Sequence, residues 1–545
     1  MTGVGLYERV LEQVGKGASL PRPRAPRASA SVVPWRETAA GLEVYWIKRA
    51  ESLAFMGGWH AFPGGGLSRG DQGIMYSGRP QMIDEAPPDG ALPVAVLDGV
   101  SDLGPIDPPG LLICAVRELF EETGLMLGAS TVEPIAEDAL TRQLRTPRRQ
   151  LLSKEVDFAG LLSSANLLPT VSDLVYAGRW LTPPLGPMRF DNRFFLLNWQ
   201  KARAAQPEII GGEIESGEWI RPAIALQRWR DGEVLTAPPI LHILEVLDQV
   251  GPVTGVERLQ RPTECNLGPF RRIEFRPGVL LFPLRTPTLP PASHTNAYLL
   301  GTEDCVLVDP GSPVEEEVDR LRMGLEATER RLDRRVTAIW LTHHHPDHVG
   351  GVEPLRDALG VPVLAHPATA ARLRERGLKV DGELQDDERV VLPGAPPMEI
   401  RVLHTPGHAR GHLCFLLEQD GSLVAGDIVA GLGTIVIDPP EGDMSAYLRS
   451  LERLRDLAPS TIFPGHGPAI KNAVAKLVES IDHRLWREQR ILEAWESGRQ
   501  KPDEILEVAY DEIPEIVRPL AERQVLAHLE RLRSAGFLDR RDTRE

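Results

Sequence analysis

The chain has little cysteine, a deficit of positive charge and no long hydrophobic run. Its four cysteines (Cys114, Cys265, Cys305, Cys414) lie far apart without Cys-x-x-Cys spacing, which argues against a disulfide framework and for a reducing, cytoplasmic compartment. No apolar stretch approaches the ~18 residues that a membrane helix needs, so no membrane span is expected. Basic side chains number 61 against 77 acidic ones, for a net charge of -16; the overall field opposes steering of duplex DNA, and any nucleic-acid contact must be local. The N-terminal MTGVGLYERVLEQVGKG lacks the basic-then-apolar order of a secretory signal, and the terminal RDTRE is not a peroxisomal ending. What is present is ordinary globular composition, 42% hydrophobic and 25% charged over 545 residues, enough for several domains of ~150 residues each.

Breaks in the apolar pattern divide the chain. Residues 1–30 read as a short N-terminal helix and a Pro- and Arg-rich tether. A first domain is expected over 31–250, a Gly- and Pro-containing linker over 251–270 and a second domain over 271–483. Beyond that, RLWREQRILEAWESG and AERQVLAHLERLRSAGFLDR repeat apolar residues at helical spacing, which predicts a helical domain over 484–545.

In the first domain, the run from Leu111 to Leu125 combines an apolar helical face with Glu118, Glu121 and Glu122. Carboxylates at i, i+3 and i+4 share one face and repel unless a cation neutralises them. Mg²⁺ or Mn²⁺ is the natural partner, because a hard cation binds a few carboxylates and leaves positions for phosphate oxygens. Arg117 can hold one carboxylate by a bidentate contact, and Gly124 can close the helix in a left-handed conformation. The string Arg117-Glu-Leu-Phe-Glu-Glu-Thr-Gly-Leu125, with Phe62-Pro-Gly-Gly-Gly66 upstream, resembles the Nudix box. That resemblance implies an α+β fold and cleavage of a nucleoside diphosphate linked to another group, with Arg117, Glu118, Glu121 and Glu122 as catalytic residues and the three glutamates as metal ligands. Two departures stand out: an insertion at about 67–110 separates the glycine loop from the helix, and Pro109 stands where the family has a further Glu. Segments such as Arg179-Trp-Leu-Thr-Pro-Pro and Arg189-Phe-Asp-Asn-Arg-Phe-Phe195 resemble the insertion-containing subgroup that acts on coenzyme A. Glu213 and Glu218 fall where the fold would return to the metal. A first domain that only binds and senses a nucleotide is the non-catalytic alternative.

Nine of the fourteen histidines lie between His343 and His466. The apolar run Thr337–Leu341 reads as a buried strand feeding Thr342-His-His-His-Pro-Asp-His-Val. Alternate residues of an extended segment point the same way, so His343 and His345 can chelate one ion while Asp347 and His348 serve another. His408, Asp427 and His466 follow other short apolar runs, and imidazole-rich ligation with one or two carboxylates suits Zn²⁺, with Mn²⁺ or Fe²⁺ as alternatives. These motifs resemble the metallo-β-lactamase fold hydrolases, which implies an αβ/βα sandwich. By that resemblance His343, His345 and His408 bind the first metal, and Asp347, His348 and His466 the second. Asp427 bridges them, Asp309 supports the metal loop, and Asp347 joins the catalytic set. His344, His404 and His412 match no ligand position.

Two close cations bring the pKa of a shared water toward neutrality for hydrolytic attack. Residues Thr295-Asn296, Gly426-Asp-Ile-Val-Ala-Gly and Pro464-Gly-His-Gly-Pro-Ala-Ile470 resemble the β-lactamase-like protein 2 branch. That likeness implies a winged-helix-like tail and endoribonuclease action on single-stranded RNA. Arg484, Arg487 and Arg490 recur at helical spacing, either as phosphate contacts or as a solvated basic face. The alternative is a thioesterase on acyl-glutathione or acyl-coenzyme A. The expected partners are thus a nucleoside diphosphate-type small molecule and single-stranded RNA, with neither duplex DNA nor a membrane; oligomeric state is not legible.

Hard carboxylate ligands in one domain and imidazole ligands in the other predict independent sites. Glu122→Gln should abolish Mg²⁺-dependent diphosphate hydrolysis and spare the second activity, and His345→Ala should do the reverse. Loss of both activities in either folded variant would show that the sites are coupled.

Overall fold

The computed structural model describes residues 25–53, 56–79, 108–132, 137–184, 188–202, 206–289, 291–431, 433–513 and 518–538. The expected N-terminal helix, most of the tether and most of the 67–110 insertion lie outside the described residues. The chain divides between Arg276 and Pro277 into two compact units.

The first unit is built on the strands β1 (Arg27–Thr38), β2 (Gly41–Arg49), β3 (His60–Ala61), β4 (Gly64–Gly66), β5 (Leu174–Leu181), β6 (Phe190–Asn198) and β7 (Ile214–Ile220). Their order is β3-β2-β1-β6-β5, with β4 on β1 and β7 on β2. Neighbouring residues of a strand face opposite sides. Accordingly Val32, Phe195 and Leu197 enter one core together with the helices α1 (Pro108–Thr123) and α2 (Glu137–Leu152). Val33, Phe194 and Leu196 enter a second core with α3 (Pro222–Arg230) and α4 (Pro238–Thr254). The sheet is buried on both faces, which is why its strands read as nearly continuous apolar runs.

Residues 251–270, expected to be a linker, are folded into this unit. They carry α5 (Val256–Gln260) and a hairpin pairing Leu267 with Phe270. Leu259 is fully buried in the second core, and the Gln260 amide donates to Tyr176 O at 3.0 Å. Gly178 (φ +101) explains the close approach: a Cβ there would stand 2.1 Å from Leu259 O. Gly and Pro read as a break because Gly251 (φ +74) and Pro252 kink α4, yet the short helix after it buries its apolar side.

In the second unit, β8 (Val279–Arg285), β9 (His294–Leu300) and β10 (Asp304–Val308) pair antiparallel. After α6 (Glu315–Leu332), parallel pairing adds β11 (Arg335–Trp340), β12 (Val363–Ala365) and β13 (Gly382–Glu383). The second sheet runs β14 (Arg389–Leu392), β15 (Met398–His404), β16 (Leu413–Leu417), β17 (Ser422–Gly426), β18 (Thr461–Pro464) in that order. The short α7 (Pro346–Val349) comes after β11, then α8 (Val352–Leu359) and α9 (Pro367–Glu375). Helix α10 (Met444–Leu457) precedes β18, and α11 (Ala473–Glu496), α12 (Pro502–Ala509) and α13 (Arg518–Ser534) come after it.

Helix α11 runs straight through the boundary expected at 483. Its first half places Leu477 and Ile481 in the core of the second sheet, and its second half places Ile491 and Ala494 in the core of the tail. The same helix therefore belongs to both.

Leu259→Ala should cost about 2–5 kcal/mol, the range for a buried leucine replaced by alanine, measured as a lower denaturant midpoint of the first unit. An unchanged midpoint would mean that the segment adds nothing to that core.

Candidate metal centres

In the first unit, the glycine strand β4 lies against the carboxylate face of α1. A Cβ on Gly65 would stand 2.4 Å from Glu118 Oε1, and Gly64 N–H donates to Glu122 Oε2 at 2.8 Å. Arg117 donates from Nη1 to Glu118 Oε1 at 2.7 Å, and the same nitrogen lies 3.3 Å from Glu121. Burial pushes Glu118 up to about 7, with Arg117 opposing the shift and Glu121 adding to it. Burial and then Glu118 hold Glu122 well above the usual carboxylate range, against the Gly64 N–H. Burial also raises Glu121. Burial first, and the neighbouring carboxylates after it, disfavour the charged forms of these glutamates. Gly124 adopts φ +81 at the helix end, as expected of a left-handed cap.

An acid outside the box holds Arg117. Asp71, wholly buried, accepts from Arg117 Nε at 2.7 Å and Nη2 at 3.0 Å. Its Oδ2 also accepts Ser68 N–H at 2.8 Å. Asp71 lies among the first residues of the insertion expected at about 67–110, so a fixed spacing counted back from Arg117 misses it; the signal was an acid shortly after the glycine run. Of the two later glutamates, Glu213 bears electrostatically on Glu121. Glu218 does not join the site: it accepts from Trp46 Nε1 at 3.1 Å and Arg228 Nη1 at 2.6 Å, because its position on β7 faces the other core.

In the second unit, both sheets deliver their loops to one buried cluster. His343, His345 and His408 offer ligand atoms within 4.8 Å of one another, and so do Asp347, His348 and His466. Asp427 stands between them, with Oδ2 3.7 Å from His408 Nε2 and Oδ1 3.4 Å from His348 Nε2 and 3.6 Å from His466 Nε2.

Hydrogen bonds at the outer nitrogens assign the tautomers. Thr342 Oγ1 donates to Asp309 Oδ2 at 2.6 Å, so His343 Nδ1–H donates to Thr342 Oγ1 at 2.9 Å. His348 Nδ1–H donates to Asp309 Oδ2 at 2.8 Å, His408 Nδ1–H to Val436 O at 2.7 Å and His466 Nδ1–H to His294 O at 2.8 Å. Each Nε2 is thereby turned to the centre. His408 Nε2 faces His345 Nδ1 at 2.8 Å and His348 Nε2 faces His466 Nε2 at 3.3 Å. Such nitrogen pairs are tolerable only with a proton or a cation between them. His343 Nε2 has no hydrogen-bond partner among the described residues, and Asp347, fully buried, has His466 Nε2 at 3.5 Å. These donors fit two divalent ions.

Burial lowers His343 and His345 well below the usual imidazole value, and neighbouring imidazoles add to the effect. Burial works the same way on His466, but Asp427 and Asp347 outweigh it and lift the ring to about 10.

His412, which matches no ligand, holds the backbone of the bridging carboxylate. Its Nε2 accepts Asp427 N–H at 3.0 Å, and its Nδ1 meets Thr405 Oγ1 at 2.9 Å. His404 stacks on His366 at 4.1 Å.

Two of the three tail arginines do not form a solvated face. Arg484 and Arg487 are buried; Arg484 donates to Gln524 and Ile435 O, and Arg487 to Ala509 O and Glu512. Arg490 is held by Val508 O and Asp511. Helical spacing cannot distinguish a basic surface from a row of buried anchors.

A family model described as the metallo-β-lactamase superfamily matches residues 290–466. Others, described as the NUDT19 Nudix domain and the β-lactamase-associated winged helix domain, match 24–247 and 502–543. A β-lactamase-like protein 2 homolog of Drosophila melanogaster is 32% identical over 268 residues, 45% of this chain and 84% of that protein. An atrochrysone carboxyl ACP thioesterase of Aspergillus chevalieri is 34% identical over 38% of this chain and 62% of its own length. A solved Nudix hydrolase from Alicyclobacillus acidocaldarius is 26% identical, covering 44% of this chain and 99% of that one, with a TM-score of 0.33. Fold and sites thus define a metal-binding hydrolase with two active-site units. The chain belongs to the metallo-β-lactamase superfamily, with a Nudix domain in its first unit and a winged-helix domain at its end.

Because folding raises Glu118 from 4.5 to about 7, the folded state binds the extra proton between those values. Stability from this group is fully present below the unfolded value and is lost as pH rises through 7, by roughly 3 kcal/mol at pH 8 without metal. Calorimetry of metal-free protein should show wild type losing melting temperature relative to Glu118→Gln between pH 5 and 8, and Mg²⁺ should close the gap. Parallel pH profiles would contradict the assignment.

Proposed function

We propose that the second unit hydrolyses thioesters of an acylated carrier, acyl-coenzyme A or acyl-glutathione. In the same reading the Nudix unit hydrolyses the diphosphate of a nucleoside diphosphate compound, coenzyme A among them. The burial of Arg484 and Arg487 and the pairing of the partly exposed Arg490 with Asp511 carry the choice: basic groups that a single RNA strand would need beyond the metal cleft are engaged within the fold. The net charge of -16 adds to this, since a polyanion gains little from such a surface. A relative named as an acyl carrier protein thioesterase supports the same reading.

His343, His345 and His408 would hold one divalent ion, Asp347, His348 and His466 another, and Asp427 both. Bound there, two such ions supply a water acidified toward neutral pH and a Lewis acid for the carbonyl oxygen. The chain itself keeps each imidazole in the ligating tautomer through Thr342, Asp309, Val436 and the His294 carbonyl. Asp347, whose nearest charged partner is His466, is placed to take the proton released as water attacks and to pass it to the leaving thiolate. In the Nudix unit, Glu118, Glu121 and Glu122 would hold Mg²⁺ or Mn²⁺ beside the Gly64–Gly66 strand, with Arg117 fixed by Asp71.

The test is a panel on purified protein loaded with Zn²⁺, Mn²⁺ or Fe²⁺. Thioester hydrolysis should be clear, should vanish on chelation and should fall by at least about 10²-fold in Asp427→Ala. Cleavage of single-stranded RNA without thioester turnover, at equal metal content, would overturn the reading.

A further inference from the structure

The irregular segment 434–438 leads from the Asp427 loop toward α10. Without sheet or helix neighbours, its carbonyls must find donors elsewhere. One of them, Val436 O, takes the His408 Nδ1–H at 2.7 Å. The carbonyls on either side are both held from the tail. Ile435 O accepts from Arg484 Nη2 on α11, and Ile437 O accepts from Gln524 Nε2 on α13 at 3.1 Å. The two donors are tied together, Arg484 Nη1 donating to Gln524 Oε1 at 3.0 Å. Arg523 secures the next residues through Asp438 and Pro439 O. The side chains of Ile435 and Ile437 are buried in a core shared with Leu477, Ile481 and Ala527 of the same two helices. Arg484 and Gln524 are themselves buried, so water cannot substitute for them.

We propose that Arg484 and Gln524 are positioning residues for the first metal: through the Val436 carbonyl, the winged-helix domain sets the direction in which His408 presents Nε2. The inference rests on the metal-centre reading above. Neither residue touches a ligand atom, and the effect passes through one peptide segment gripped on both sides. An imidazole whose outer hydrogen bond is loosened binds metal about 10- to 100-fold more weakly; a loosened carbonyl one step further out should reach the lower end.

The experiment uses the full chain with Gln524→Leu and Gln524→Glu, with Arg490→Gln as control. Arg490 lies on α11 and is bound to Val508 O and Asp511, so its loss perturbs the tail without reaching the segment. Gln524→Glu keeps an acceptor for Arg484 and the side-chain volume, and removes only the donor to Ile437 O; it serves if the leucine variant fails to fold. Zinc affinity is measured by competition with a chromogenic chelator, and ligand geometry by the visible absorption of Co²⁺-loaded protein. Both Gln524 variants should bind the first zinc about tenfold more weakly and shift the Co²⁺ spectrum, whereas Arg490→Gln should match wild type in both. Wild-type affinity and spectrum in a folded Gln524 variant, or an equal change in Arg490→Gln, would overturn the proposal while leaving the metal centre standing. A wild type that binds neither Zn²⁺ nor Co²⁺ would overturn the metal-centre reading and the proposal with it.

Discussion

The second unit depends on a concentration of buried charge that its own side chains cannot neutralise. Asp347, Asp427, His343, His345, His348, His408 and His466 are all buried and turned toward one another, with two nitrogen pairs at 3.3 Å or less. In a low-dielectric interior such groups are tolerable only around protons or cations. The surrounding structure is shaped by that need. Asp309 reaches two candidate ligands at once, His348 directly and His343 through Thr342. Glycine stands at 465 because a Cβ there would lie 2.6 Å from Asp427 Oδ1. His412 spends its ring on a backbone amide.

The Nudix unit meets the same constraint with different chemistry. Three glutamates share a helix face beside a strand of glycines, and one guanidinium, held in place by Asp71, serves as the only organic counter-charge described within hydrogen-bonding distance of Glu118 and Glu121. Arg117 is half consumed by Asp71, so the glutamates keep a surplus of negative charge that hard, oxygen-seeking cations suit. Nitrogen donors dominate one centre and oxygen donors the other, so the same pool of divalent ions can be sorted between them by ligand type.

The tail looks different once its contacts are known. Arg484 and Arg487 are buried anchors, and its helices grip the segment that orients His408. A winged-helix domain is thus built into the metal centre's support, and α11 contributes to both cores. The four cysteines are free and buried, and no described helix is long and apolar enough to cross a membrane.

Taken alone, the sequence determined the two hydrolase families and the donor types, because metal ligation constrains residue identity at short spacings. Four histidines and an aspartate between positions 343 and 348, or three glutamates on one helical turn, have few other uses. It could not place Asp71, since the partner of Arg117 lies at the far end of the insertion and only folding brings the two together. It misjudged residues 251–270, because glycine and proline mark a turn without saying whether the next residues are buried. It placed a boundary inside α11, because helical periodicity continues unchanged while the neighbours of the helix change. For Arg484, Arg487 and Arg490, spacing supplied a face and tertiary packing decided what lies against it: a long aliphatic stem with five donors serves a buried carbonyl as readily as a phosphate, and only the fold selects between them.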